Sequence, residues 1–152
     1  MKIAITGANG FVGSNLVKHF LSACYEVVAI IRANATTAFI PSKAHIVRVD
    51  YQDVPSLLSA FSGIDIIIHN AGKTKAINAE QMFKANVGIT EKIIAASNKI
   101  SELRQIINLS SQAASRPSVN NIPVKEDEPG APVTCYGKTK LFPKEAISKN
   151  VK

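Results

Sequence analysis

The stretch Met1-Lys-Ile-Ala-Ile-Thr-Gly-Ala-Asn-Gly-Phe-Val-Gly13 decides how the rest of the chain is read. Lys2 to Thr6 form a short apolar run of strand type that enters a core. Gly7, Gly10 and Gly13 follow at three-residue spacing, and Ser14 to Leu21 continue with helical periodicity. A strand that ends where a helix begins, with glycines between, is a corner where backbone must come close to something. Glycine permits the tight turn and lets N–H groups approach a pyrophosphate with no Cβ in the way. The positive end of the helix dipole then faces the phosphates. The corner reads as a dinucleotide-binding strand–turn–helix, with Gly7, Asn9, Gly10, Phe11, Val12 and Gly13 as candidate cofactor-binding residues. A plain turn is the alternative that the spacing alone leaves open.

Around this corner the chain alternates strand and helix. Glu26–Ile31, Ile46–Val49, Asp65–His69 and Arg104–Leu109 are apolar runs of strand type, and the fourth strand's unbroken Ile66-Ile-Ile68 predicts burial on both faces of a parallel sheet. Helices are predicted at 11–22, at Val54–Phe61 with Pro55 in the first turn, at Asn78–Lys99, and from Thr134 onward. Phe11, Val12, Leu16, Phe20 and Leu21 are expected to face the sheet, and Phe83, Val87, Ile93 and Ile94 to be the apolar positions of the longest helix. The fold class is therefore α/β, a doubly wound parallel sheet. The loop Ala33–Lys43 is small, polar and expected to be mobile. The Pro- and Asn-rich segment Gln112–Pro132, with its acidic Glu126-Asp-Glu128, is expected to carry function or to stay disordered.

At 152 residues, 46% of them hydrophobic, the chain is expected to form one domain spanning 1–152. No apolar stretch is long enough to span a bilayer, so no membrane partner is expected. Cys24 and Cys135 show neither metal nor redox spacing, which predicts no metal site and a cytoplasmic protein. The net charge of +7 is spread over predicted helix faces (Lys84, Lys92, Lys99, Lys144, Lys149) without an aromatic-interleaved stripe. Solvated surface and attraction for an anionic cofactor or substrate account for it, and no nucleic-acid partner is expected.

The spacing Gly-x-x-Gly-x-x-Gly and the phrase Thr6-Gly-Ala-Asn-Gly-Phe-Val-Gly13 resemble the short-chain dehydrogenase/reductase superfamily, and most of all its extended branch of NAD-dependent epimerases, dehydratases and related reductases. The resemblance implies a Rossmann-type three-layer αβα fold. It covers essentially the whole chain but matches only the front half of such an enzyme. The later strands and the substrate domain lack a counterpart, so the chain is expected to be truncated just past the catalytic helix. Strand five would then be a bare edge inviting a second copy, and a homodimer is expected.

The resemblance also assigns roles. The slot that holds the ribose hydroxyls in NAD-binding members is Ile31, followed by Arg32, a guanidinium suited to the 2′-phosphate of NADP or simply a surface arginine. The coenzyme is thus NAD or NADP, leaning to NADP. Asp50, with Tyr51 beside it, stands where the branch receives the adenine amino group, although an Asp at a strand end also caps its own turn. His69-Asn-Ala-Gly72 is similar to the family's strand-four signature, making Asn70, Ala71 and Gly72 cofactor-contact candidates. Asn86-Val87 matches a motif whose Asn touches the cofactor or the water of the catalytic lysine. Here the expected Gly-Thr is Ile89-Thr90, with Gly moved to 88. Cys24 occupies a helix-end slot that is usually Gly.

Tyr136 and Lys140 lie four apart on the last helix and project from one face. An ammonium and a positively charged nicotinamide favour the phenolate, so the pair can act as general acid/base on a hydroxyl or carbonyl. Lys140 could also bond the nicotinamide ribose. Ser111 would hold the substrate oxygen, with Ser110 beside it on the cofactor. Ser111 precedes Tyr136 by 25 positions, the order and approximate spacing of the extended branch. Ser111, Tyr136 and Lys140 are thus the expected catalytic set. A core tyrosine on a lysine-rich helix is the alternative. Pro143 predicts that this helix kinks or stops early. The implied activity is hydride transfer on the hydroxyl/carbonyl pair of a nucleotide-sugar, with an NADPH-dependent ketone reductase of the flavonol or steroid type, or a non-catalytic NADP(H)-binding redox sensor, as rivals.

Overall fold

The apolar runs pair side by side, as their two-faced burial requires. In the computed structural model, which describes the backbone of residues 1–150 and the side chains of residues 1–142, five strands form one parallel sheet. They are β1 (Lys2–Thr6), β2 (Glu26–Arg32), β3 (His45–Val49), β4 (Ile66–His69) and β5 (Gln105–Asn108), in the order β3-β2-β1-β4-β5. Helix α1 (Phe11–Ser22) covers one face, where Ile3, Ile5, Val27, Ala29, Ile31 and Val17 form one core. Helices α2 (Val54–Ala60) and α4 (Ile89–Ser97) cover the other, where Ala4, Val28, Ile30, Leu57, Phe61, Ile67 and Ile93 form a second. The three-layer doubly wound arrangement read from the sequence is the one observed.

Helix ends follow local chemistry. Asp53 caps α2 by accepting the Ser56 N–H at 2.9 Å, with Pro55 in the first turn. Cys24 does adopt the left-handed conformation (φ 62°). The Cys24 N–H donates to Leu21 and the Tyr25 N–H to Phe20, and the Phe20 and Tyr25 rings meet edge-on at 5.6 Å. This double bond with its apolar clasp closes α1 where glycine is the usual residue.

Several expectations are corrected. Phe11 and Val12 do not face the sheet; they are 88% and 46% exposed on the first turn of α1, which buries Gly13, Ser14 and Val17 instead. The helix predicted from Asn78 to Lys99 is present without a break from Ala79 to Ser97, but it is not a uniform α-helix: a π-helical turn (Lys84–Gly88) lies between α3 (Ala79–Phe83) and α4. Phe83 is partly exposed, and Met82, Asn86 and Thr90 face inward. The loop after β2 is anchored rather than free, because Ile40 is buried in the α1-side core and Arg48 donates to its carbonyls. The long segment before the last helix is also built. Glu128 bonds both the Arg116 guanidinium and the Lys125 N–H, and Val119 pairs with Ile122 across left-handed Asn120 and Asn121, a turn suited to asparagine. The last helix, α5 (Cys135–Asn150), runs through Pro143. A proline there removes a single backbone donor, which costs helix stability without stopping the helix.

His69 ties the layers together. Its ring is 2% exposed, with Nδ1 2.9 Å from Thr6 Oγ1 and Nε2 2.9 Å from Thr90 Oγ1. The Thr90 hydroxyl gives its proton to the Asn86 carbonyl at 2.8 Å, so it accepts from Nε2–H. Nδ1 then accepts from Thr6, whose oxygen also takes the N–H groups of Asn70 and Ala71 at 3.1 Å each. Donors and acceptors match only for the neutral Nε2–H tautomer. Burial, reinforced by the charge of Lys140, pushes His69 down to about 3.

Two outcomes follow. Cys24→Gly should raise the free energy of unfolding by about 1 kcal/mol, measured by urea denaturation, since glycine takes φ > 0 without the Cβ penalty. His69 binds a proton more readily unfolded than folded, so its contribution is complete above pH about 6.5 and is lost as pH falls towards 3. Between pH 6.5 and 4.5 the native chain should therefore lose up to about 1.4 kcal/mol per pH unit more than His69→Gln, and equal slopes would refute the assignment.

Candidate functional site

The chain leaves β1 towards β2 on one side and returns to β4 on the other, so a crevice opens at the carboxyl ends of β1 and β4. Such a switch point is where open α/β sheets bind ligands. A cleft of about 250 Å³ lies there, lined among others by Gly7, Gly10, Arg32, Tyr51, Asn70 and Lys73. Gly7 is left-handed (φ +65°), and a Cβ on it would stand 2.8 Å from the Ala71 Cα. A Cβ on Gly13 would fall 2.2 Å from the Gly7 carbonyl oxygen. These two glycines are demanded by the protein's own packing. Gly10 is not: a Cβ there would meet nothing nearer than the Gly7 oxygen at 3.4 Å. Its lack of a side chain leaves the cleft open above the start of α1, whose N-cap supplies no side-chain hydrogen bond. Free N–H groups at a helix start beside an open glycine fit a diphosphate. Asn9 lines the same cleft, whereas Phe11 and Val12, exposed on the first turn of α1, are not among its lining residues.

Tyr51 fixes the corner from below. Its hydroxyl accepts the Gly7 N–H and donates to the Ile30 carbonyl, both at 3.1 Å, which binds β1's exit to the end of β2. Burial pushes this phenol up to about 12, so it stays protonated and able to donate. Asp50 is exposed next to it, with one carboxylate oxygen accepting the Gln52 N–H at 2.8 Å. Arg32, at the end of β2, lines the cleft on the same side. Among the described residues no carboxylate lines it, and the charged groups that do are Arg32 and Lys73.

The opposite wall is made by the residues after β4. The Asn86 carboxamide accepts the Lys73 N–H at 2.7 Å and donates to the Lys73 carbonyl at 3.0 Å, as a peptide partner in a sheet would. Its Nδ2 also reaches Thr139 Oγ1 on α5 at 2.9 Å. The π-helical turn carries Asn86 into this position, and π turns recur at functional sites. Asn86 thus supports the wall formed by Asn70, Ala71 and Gly72 through the backbone of Lys73.

Helix α5 brings Lys140 against the residues that follow β5. The Lys140 ammonium, 8% exposed as a residue, donates to the Leu109 carbonyl at 2.8 Å, and burial pulls its pKa down. It also lies 3.6 Å from where a Gly72 Cβ would be, which puts it against the cleft wall. The Ser110 hydroxyl donates to the Lys140 carbonyl at 3.2 Å. Ser111 Oγ accepts the Ala113 N–H at 3.2 Å, leaving its own proton free to donate outward. Tyr136 is half-buried in the first turn of α5. Its neighbour Gly137 sits so close to the Ala113 carbonyl that a Cβ would fall 2.0 Å from it. This backbone contact holds the Ser111 turn against the start of α5.

Sequence reasoning did not find Lys73, Thr6, Thr90 or Arg48. The first had a signal, standing directly after Asn-Ala-Gly; the others are strand and helix residues whose partners are visible only in three dimensions. Among the described residues no group of three or more His, Cys, Asp or Glu could hold a metal, and no helix is long and apolar enough to cross a membrane.

Comparison with known proteins gives the family. The model of the NAD dependent epimerase/dehydratase family matches residues 3–149. A dTDP-6-deoxy-L-talose 4-dehydrogenase (NAD(P)(+)) of Kitasatospora kifunensis is 29% identical over 99% of this chain and 48% of its own. A UDP-glucose 4-epimerase of Streptomyces lividans is 29% identical over 92% of this chain and 44% of its own. The crystal structure of the UDP-glucuronic acid 4-epimerase of Bacillus cereus, in complex with NAD, superposes with a TM-score of 0.81 at 26% identity, covering 99% of this chain and 53% of that one. The chain spans about half the length of these relatives. With its glycine corner, its switch-point cleft and a family match over nearly every residue, the chain belongs to the NAD-dependent epimerase/dehydratase family.

Proposed function

We propose that the chain is a single NAD(P)-binding domain whose cleft takes the coenzyme diphosphate at Gly7, Asn9, Gly10 and the start of α1. Asn70, Ala71 and Gly72 would line the coenzyme's other side, with Asp50 and Tyr51 at the adenosine end. The observation that carries this is the cleft itself, at the topological switch point, with an open glycine, two cations and, among the described residues, no carboxylate. When bound, the nicotinamide would supply the acceptor or donor of a hydride. The chain's own residues would do the rest. Tyr136 would move a proton at its phenolic oxygen, Ser111 would donate its free hydroxyl proton to the reacting oxygen, and the Lys140 ammonium would favour the phenolate while holding the ribose. The substrate class is a nucleotide-sugar, as named for the relatives, with oxidation, epimerisation or dehydration as the net outcome.

Arg32 favours NADP over NAD, because a guanidinium at the end of β2 suits a phosphate monoester on the adenosine ribose. It also keeps an NADPH-dependent ketone reductase as the second reading, which turnover of a plain ketone but no UDP- or dTDP-hexose would select. A cytoplasmic homodimer completes the proposal.

Three measurements test it. Calorimetric titration should show tighter binding of NADP than NAD, with Arg32→Ala reducing that preference by about tenfold, the worth of one charge-assisted contact. Gly13→Ala should abolish binding of both coenzymes, because its Cβ would displace the Gly7 carbonyl. Tyr136→Phe should keep coenzyme affinity while cutting hydride transfer to a nucleotide-sugar by about 100-fold or more. No coenzyme binding by the unaltered chain would defeat the proposal.

A further inference from the structure

The guanidinium of Arg48 is used in an unusual way. Arg48 lies on β3, the sheet edge, directly opposite Ile31 of β2, one residue before Arg32. Its Nη1 donates to the carbonyls of Ala33 at 2.6 Å and Ala35 at 3.0 Å, and lies 3.4 Å from that of Arg32. A single cation thus gathers the backbone of the segment that leaves β2. Two of the residues gathered, Ala33 and Ala35, have no side-chain polar group with which to anchor themselves. Besides Arg48, the Ala35 N–H donates to the Arg32 carbonyl at 3.0 Å, and Thr36 Oγ1 accepts the Ala38 N–H at 3.3 Å.

Arg32 lines the coenzyme cleft from the last position of β2, so the direction of its guanidinium depends on the peptide planes that follow it. A long exposed side chain loses rotamer freedom when it grips a ligand, and a backbone fixed in advance reduces that loss. We propose that Arg48 is a positioning residue for coenzyme selectivity. By clamping the carbonyls of Ala33 and Ala35 close to that of Arg32, it holds Arg32 aimed at a phosphate monoester on the adenosine ribose, without touching the coenzyme itself. The inference rests on the reading of Arg32 given above, and deepens it. Charge-assisted bonds to the Ala33 and Ala35 carbonyls occupy Arg48 in the clamp and keep it out of the cleft.

The test is a double-mutant cycle on the full chain, read as dissociation constants for NADP and NAD with wild type, Arg32→Ala, Arg48→Gln and the double variant. Arg48→Gln should reduce the NADP-over-NAD preference by about fivefold and leave NAD affinity within about twofold, with Arg48→Lys intermediate. The double variant should be no less selective than Arg32→Ala alone. Hydrogen exchange at the Ala35 amide should accelerate in Arg48→Gln while that of Ile31, inside the sheet, stays slow. Equal losses for both coenzymes would reduce Arg48 to a structural residue, and additive losses would make it a direct contact; either result overturns the proposal. If Arg32→Ala shifts the preference and Arg48→Gln does not, the clamp idea fails alone. If Arg32→Ala shifts nothing, the NADP reading fails first and Arg48 has nothing to aim, even should the Ala35 amide still report the clamp.

Discussion

The constraint on which the crevice depends is backbone against backbone. Gly13 presses on the Gly7 carbonyl and Gly7 on Ala71, at separations that no Cβ could share. The first contact sets how α1 leaves the sheet, and the second sets how closely the residues after β4 approach β1. Between them they fix the width of the crevice. Van der Waals repulsion is steep, so these contacts define positions to a fraction of an ångström in a way that apolar packing alone does not. Tyr51 and His69 then lock what the glycines allow, each with both of its polar partners satisfied.

Polar side chains placed inside the fold act here as substitutes for backbone. Tyr51 occupies the Gly7 N–H, Thr6 takes two N–H groups beyond β4, and Asn86 pairs with the peptide of Lys73. At the end of a strand the ladder runs out, and each remaining N–H and C=O must find another partner or pay for desolvation. Among the described residues no buried side-chain nitrogen or oxygen lacks one. Several backbone groups at the crevice, the N–H groups of Gly7, Asn70, Ala71 and Lys73 among them, are therefore already occupied by side chains.

Much of this was legible in the sequence. The glycine corner, the parallel sheet and its two buried faces follow from spacing and from runs such as Ile66-Ile-Ile68, because local chemistry dictates them. The order of Ser110, Ser111 and Lys140 along the chain also carries a signal, since the residues that follow β5 and the helix bearing Lys140 meet through the Ser110 and Leu109 contacts. What escaped was whatever depends on register between distant segments. Phe11 and Val12 look like core residues by composition, yet they sit on the helix's first turn, which projects past the sheet. The π turn is invisible because one extra residue in a helical repeat leaves the apolar pattern nearly intact. Asn86 shows its partner only once Lys73 is placed, and Arg48 only once the segment after β2 folds back over the sheet edge.

The pairing of Asn86 with Lys73 has a consequence for what the molecule can accept as change. Lys73 is pinned by that carboxamide, and Asn78 is fixed five residues later as the cap of α3, accepting the Gln81 N–H at 2.9 Å. The connection Thr74–Ile77 thus hangs between two independent anchors, with Ile77 turned out to solvent. Lengthening a surface span whose ends are held apart costs little, about 0.6 kcal/mol for each doubling. This short bridge at the rim of the crevice is the natural port for inserted sequence, where a new recognition loop could be grafted without disturbing either wall.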